Sequence, residues 1–253
     1  KGETVTLARI NTLKQVRIIG IIALLLFDMQ PAFTFFKPEK YFFKNIHLKD
    51  GLSQCVVTGI AIDKRGFIWA STFDGLNRFD GNNIKIFRSK LGDSTSIISS
   101  KIFNIISDES GHLYLFTNDG FCIFDCKTER IIRPEILRQG EPNWVVQHDA
   151  THVWFYLTGK GFYLVNTDDF SYQMMPNSAV QIVGQEHPNR FFEVGDKLYT
   201  ILSTGSIVRY DPQLKSSKRY SYGNNTKNTY IYAELTKDGS ILISHENDDL
   251  VYF

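Results

Sequence analysis

From about residue 57 onward the chain alternates short apolar runs with turns rich in glycine, aspartate and asparagine. Thr58 to Asp63 reads as a strand, Lys64-Arg65-Gly66 as a tight turn, and Phe67 to Thr72 as a second strand. Phe73-Asp74-Gly75 turns the chain again, and Leu76 to Asp80 makes a third strand. Gly81-Asn82-Asn83 then leads into a fourth strand from Ile84 to Phe87. The glycines fall where a hairpin turn calls for positive φ, which only a residue without a Cβ adopts at little cost. The local prediction is four antiparallel strands joined by short turns.

The same set then returns. Asp63, Gly66, Trp69, Thr72, Gly75 and Asp80 recur as Asp108, Gly111, Tyr114, Thr117, Gly120 and Asp125, each 45 positions on. Trp154, Thr158, Gly161 and Asn166 follow Tyr114, Thr117, Gly120 and Asp125 at offsets of 40 or 41. Ser206, Arg209, Tyr210 and Asp211 match Gly75, Arg78, Phe79 and Asp80 at 131. Asp238-Gly239-Ser240-Ile241-Leu242 restarts a fifth copy, which reaches its third strand by Phe253. A single four-stranded sheet cannot bury both faces by itself, so successive copies must stack around an axis. The expected fold is therefore all-β, a β-propeller of four-stranded antiparallel blades with about five present. A β-sandwich would leave the constant offset without a cause. Trp69, Tyr114 and Trp154, recurring on the second strand, are expected to wedge between blades. Asp80, Asp125 and Asp211, ending the third strand, are expected to cap turns.

Composition narrows the function classes. Of the 253 residues, 43% are hydrophobic and 22% charged, which suits a folded domain with a large core. The net charge of +1 gives no overall field to attract nucleic acid, and no nucleic-acid partner is expected. The three cysteines read as idle or buried thiols. Cys122 and Cys126 would lie roughly 13 Å apart in extended chain, too far for a disulfide, and Cys55 is isolated. No metal or cofactor is expected.

At the amino terminus, Arg9, Lys14 and Arg17 precede an unbroken apolar run from Ile18 to Phe27. Ten apolar residues fall short of the roughly 20 that span a bilayer, but they suit the core of a secretory signal peptide. Residues 1–36 are expected to be that signal segment, cut between Ala32 and Phe36, or else an uncleaved anchor. Residues 37–253 would then be an exported propeller domain, touching the membrane only through the signal segment or through parts downstream.

Gly51-Leu52-Ser53, Ile60-Ala61-Ile62-Asp63, Gly66-Phe67-Ile68-Trp69, Thr72 and Gly75-Leu76-Asn77-Arg78-Phe79-Asp80-Gly81 together resemble the two-component-regulator propeller repeat. That repeat fills the periplasmic sensor region of hybrid two-component histidine kinases of Bacteroides-type bacteria. The likeness is specific in the first two copies, fades across the next three and covers about residues 41 to 253. It implies seven-bladed propellers, often in tandem, ahead of a membrane helix, a kinase and a DNA-binding output. It also implies a periplasmic location and an oligosaccharide as the sensed ligand. The sequence shows no kinase or receiver segment, so it reads as an amino-terminal fragment of such a sensor. Alternatively, Tyr41 to His47 could complete a blade whose other strands end at Phe253, and five copies would close by themselves. An unclosed arc would expose blade faces and favour a homodimer.

No nucleophile motif or phosphate loop stands out. His148-Asp149-Ala150-Thr151-His152 lacks the glutamate and the helix of a zinc-protease motif and is expected to be a turn. Asp63 to Trp69 is similar to the aspartate box of sialidase propellers, but its Asp and Gly stand three apart where the box has two. A ligand site is expected where the turns between second and third strands gather at one end of the channel. Those turns offer Phe73 and Asp74, Asn118 and Asp119, Lys160, and Asn247 and Asp248. An aromatic face beside amide and carboxylate acceptors suits a sugar. A sensor that performs no reaction is the leading expectation. A secreted propeller glycan hydrolase or lyase and a protein-binding scaffold are the alternatives.

Overall fold

The computed structural model describes residues 43, 45–176, 182, 186–220, 232–244 and 251–252. Residues 46–253 form one compact unit of stacked sheets. The first sheet holds β1 (Val57–Ile62), β2 (Ile68–Thr72), β3 (Gly75–Phe79) and β4 (Ile84–Phe87). The second holds β5 (Ile102–Ser107), β6 (His112–Thr117), β7 (Gly120–Asp125) and β8 (Arg130–Ile132). The third holds β9 (Trp144–Asp149), β10 (His152–Leu157), β11 (Gly161–Asn166) and β12 (Tyr172–Pro176). A fourth runs β13 (Pro188–Val194), β14 (Lys197–Leu202), β15 (Ile207–Asp211) and β16 (Ser216–Tyr220). In the fifth, β17 (Tyr232–Leu235), β18 (Ile241–Ser244) and β19 (Val251–Tyr252) are described. Every pairing is between chain neighbours and antiparallel, as the repeat predicts. The chain is a β-propeller, and each sheet is one blade.

The repeat extends to irregularities. Ladder shifts fall at Val57/Gly59 and again at Ile102/Asn104, the same place in consecutive blades. Thr72 Oγ1 donates to the Gly75 carbonyl at 3.0 Å, and Thr117 Oγ1 to the Gly120 carbonyl at 2.7 Å. Gly75 has φ 130°, and a Cβ there would stand 2.7 Å from the Phe87 carbonyl oxygen, so no other residue fits. Asp80, Asp125, Asn166 and Asp211 each accept backbone N–H bonds from the turn that follows, which is the expected capping role.

Four apolar clusters hold the blades together, each shared by two successive sheets. Trp69, fully buried, meets Phe124 of the second blade edge-on at 5.5 Å. Tyr114 meets Phe155 of the third at 5.5 Å. Trp154, Tyr156 and Phe162 close on Phe191 of the fourth, and Phe192 and Ile201 on Ala233 and Ile241 of the fifth. The recurring aromatics are thus wedges. Among the described residues, part of the other face of blade one is open. Ile60 and Ile62, on the face turned away from blade two, are 67% and 62% exposed. The segment ahead of β1 crosses the outer part of that blade. Ser53 accepts there from Asn77 Nδ2 at 2.8 Å and donates its own N–H to Asn77 Oδ1 at 2.9 Å.

Of Tyr41 to His47, residues 41, 42 and 44 lie outside the described residues, and Phe43 and Asn45 to His47 are not in a strand. Residues 1–36 also lie outside them. Among the described residues no helix is long and apolar enough to cross a membrane. Cys55, Cys122 and Cys126 are free thiols, and burial pushes Cys122 up to about 11 and Cys126 up to about 12.

Candidate functional site

In an antiparallel blade the β2–β3 turn emerges at one end, and the β1–β2 and β3–β4 turns at the other. The first end carries the residues singled out from sequence. Phe73 in the β2–β3 turn is 39% exposed and meets Phe103 of β5, itself 46% exposed, edge-on at 6.0 Å. The Lys101 ammonium stands 5.7 Å over the Phe73 ring and 5.5 Å over the Phe103 ring. Asn118 donates its backbone N–H to the Lys101 carbonyl at 2.9 Å, which fixes the β6–β7 turn beside this pair. Its side chain donates to Asp119 Oδ1 at 3.0 Å. Asp119 is held below its ordinary pKa by the Asn118 and Ser99 bonds. Asp74 is held low by the Arg88 guanidinium, 2.8 Å away.

Phe73, Asp74, Asn118 and Asp119 therefore share one rim across blades one and two. Lys160, in the β10–β11 turn of blade three, emerges at the same end, its ammonium bonded to the Gln139 carbonyl. Asn247 and Asp248 lie outside the described residues. Reading the sequence missed Phe103 and Lys101. The available signal was an apolar residue at the ladder shift, where the blade-one counterpart is the polar Thr58.

At the opposite end the turn aspartates are spent on structure. The buried Asp63 carboxylate accepts from Trp69 Nε1 at 3.1 Å, from the Arg65 guanidinium at 3.0 Å, and from the Arg65 and Phe67 amides. Burial pulls its pKa upward, but the Trp69, Arg65 and amide bonds outweigh burial and hold it below the ordinary value. Asp108 repeats the device with Tyr114 Oη at 2.7 Å, His112 Nδ1 at 2.8 Å and two turn amides, and it too is held low.

Blade three departs from this pattern. Asp149 takes the Thr151 amide and His152 Nδ1, and these bonds hold it down at about 2. Trp154 Nε1 instead crosses to Glu193 Oε2 of blade four at 3.1 Å, and His148 Nδ1 reaches the same carboxylate at 2.6 Å. The Glu193 side chain is 9% exposed, and burial raises its pKa despite the His148 and Trp154 bonds. His148 and His152 flank a tight turn with no helix, as expected. Among the described residues no group of three or more His, Cys, Asp or Glu side chains is arranged to hold a metal ion.

Between the β1–β2, β5–β6, β7–β8 and β11–β12 turns lies a cavity of about 420 Å³. Three blades line it, and none of its residues belongs to the rim picked out from sequence.

No protein-family model matches the chain. "Histidine kinase P4" of Formosa agariphila is 42% identical to it over 81 residues, 32% of this chain and 6% of that protein. Two extracellular domains from B. thetaiotaomicron, each described as part of a hybrid two component system, share the fold. One has a TM-score of 0.64 at 20% identity, covering 83% of this chain and 30% of the other. The second has a TM-score of 0.60 at 20% identity, covering 80% and 28%. Streptogramin B lyase is similar at a TM-score of 0.52 and 15% identity, covering 80% of this chain and 70% of the lyase. The chain thus spans 6% of the curated relative and 28–30% of the two extracellular domains. Identities this low among the structures establish the propeller fold.

Proposed function

We propose that the chain is the extracytoplasmic ligand-sensing region of a hybrid two-component histidine kinase, and that it binds an oligosaccharide without transforming it. Residues 1–36 would direct export to the periplasm and residues 37–253 would form the sensor domain. The observation that carries the reading is the Phe73–Phe103 pair, two aromatics left half-exposed on a propeller rim beside Lys101, Asn118 and Asp119. The likeness to the two B. thetaiotaomicron two-component domains and to the Formosa histidine kinase supports the signalling part. Sugar C–H groups would stack on the rings while hydroxyls meet the amide and carboxylate. Binding would bias one placement of neighbouring domains or subunits, and that shift would be the signal. The test is calorimetry of the chain against a panel of oligosaccharides. Binding that Phe73→Ala with Phe103→Ala abolishes would support the reading. Turnover of any panel member would replace it with the hydrolase or lyase alternative.

A further inference from the structure

We infer that the 420 Å³ cavity at the end opposite the aromatic rim is a second binding site, for an anionic saccharide unit. Its volume lies in the roughly 300–1,000 Å³ range of small-ligand sites. The charges on its walls differ in what they are free to do. Asp63 is saturated by Trp69, Arg65 and two turn amides, and Asp125 accepts from the Lys127 amide and Thr128 Oγ1, each at 2.7 Å. Lys64, from blade one, and Lys127, from blade two, line the same cavity with exposed side chains. Among the described residues neither ammonium has a carboxylate partner within ion-pair distance, and the Asp168 carboxylate on the blade-three wall has no cation. Two uncommitted cations therefore face one uncommitted anion across a partly enclosed space.

That set suits a carboxylate or sulfate held between Lys64 and Lys127, with sugar hydroxyls donating to Asp168 and meeting Ser110. A neutral sugar would offer the two ammonium groups hydroxyl oxygens but no opposite charge. Because the walls come from three blades, such a ligand would tie them together at the end where Arg65 already bridges to the Cys126 carbonyl at 2.7 Å.

This inference rests on the carbohydrate reading above for its choice of a saccharide, and the experiment separates the two. The chain is titrated calorimetrically with glucuronate, galacturonate, glucose 6-sulfate and glucose, and in parallel with the neutral oligosaccharide panel. The expected result is binding of one or more of the three anions, weakened by added salt and by roughly tenfold in Lys64→Ala with Lys127→Ala. It should be unchanged in Phe73→Ala with Phe103→Ala, and partly restored in Lys64→Arg with Lys127→Arg. A preference for uronates or for the sulfate identifies which anion the site is built for. Equal binding of glucose, or anion affinity unmoved by removing both lysines, overturns the second site. Neutral oligosaccharides bound at the rim with no anion bound leave the sensor reading standing and remove the second site. A chain that binds no saccharide at all ends both.

Discussion

The seam between blades one and two and the seam between blades three and four solve one problem differently. Each buries an aromatic wedge whose polar atom needs an acceptor. Trp69 finds it in Asp63 of its own blade, whereas Trp154 reaches across to Glu193 of the next. At the first seam the links to the neighbouring blade include three cations, Arg65 to the Cys126 carbonyl and Arg78 and Lys85 to Glu129, beside the Thr58 hydroxyl on the Ile102 carbonyl. At the second, a single carboxylate serves both Trp154 and His148. Asp63 collects enough donors to stay ionised below its ordinary range, and Glu193 does not. A recurring fold position thus tolerates two acceptor sources, but only the second routes the wedge's polar contact across to the next blade through one buried titrating group.

The largest expected effect breaks the first seam. Trp69→Ala empties the wedge and should cost about 3–5 kcal/mol in chemical denaturation. A loss below about 1 kcal/mol would mean the blades do not depend on it. Asp63→Ala should cost about 1–3 kcal/mol by leaving the buried Trp69 N–H without an acceptor. Glu193→Ala should cost a similar amount through Trp154, so an unaffected stability would show that the cross-blade bond is idle.

Titration sharpens the contrast, because the two seams carry opposite signs. Asp63 and Asp108, lowered from 3.8, contribute stability above pH 3.8 that is lost as pH falls through their folded values. Glu193, raised from 4.5, contributes stability below pH 4.5 that is lost as pH rises through its folded value. Denaturation midpoints should therefore show Glu193→Gln flattening the decline above pH 4.5. Asp63→Asn should flatten only the acid limb. The smallest effect is expected at the rim, where Phe73→Ala should move stability by no more than about 0.5–1 kcal/mol while altering ligand binding. A larger loss would recast Phe73 as a core residue.

Much of this was legible one residue at a time. A four-residue strand from Ile84 to Phe87, the Thr72 and Thr117 turns, and the capping roles of Asp80, Asp125 and Asp211 follow from local chemistry. Each of these contacts closes within a few positions, so the side-chain type and the turn geometry decide it. Strand boundaries shifted by one residue, with β1 running from Val57 to Ile62, because backbone pairing and not hydrophobicity ends a strand. The rim was half legible. Phe73 and Asn118 could be placed by the repeat, but Phe103 and Lys101 come from the next blade's entry and meet Phe73 only after the blades stack.

The sequence by itself determined the blade. Its period, turn glycines and alternation of apolar with polar positions pair each strand only with its neighbours in the chain. Tertiary structure alone decided what meets across blades: Glu193 beneath Trp154, Phe103 beside Phe73, and a three-walled cavity holding Lys64 and Lys127. Those contacts depend on how far each sheet is rotated and offset against the next. That relation is set by summed side-chain packing over whole blade faces, a quantity no local spacing encodes.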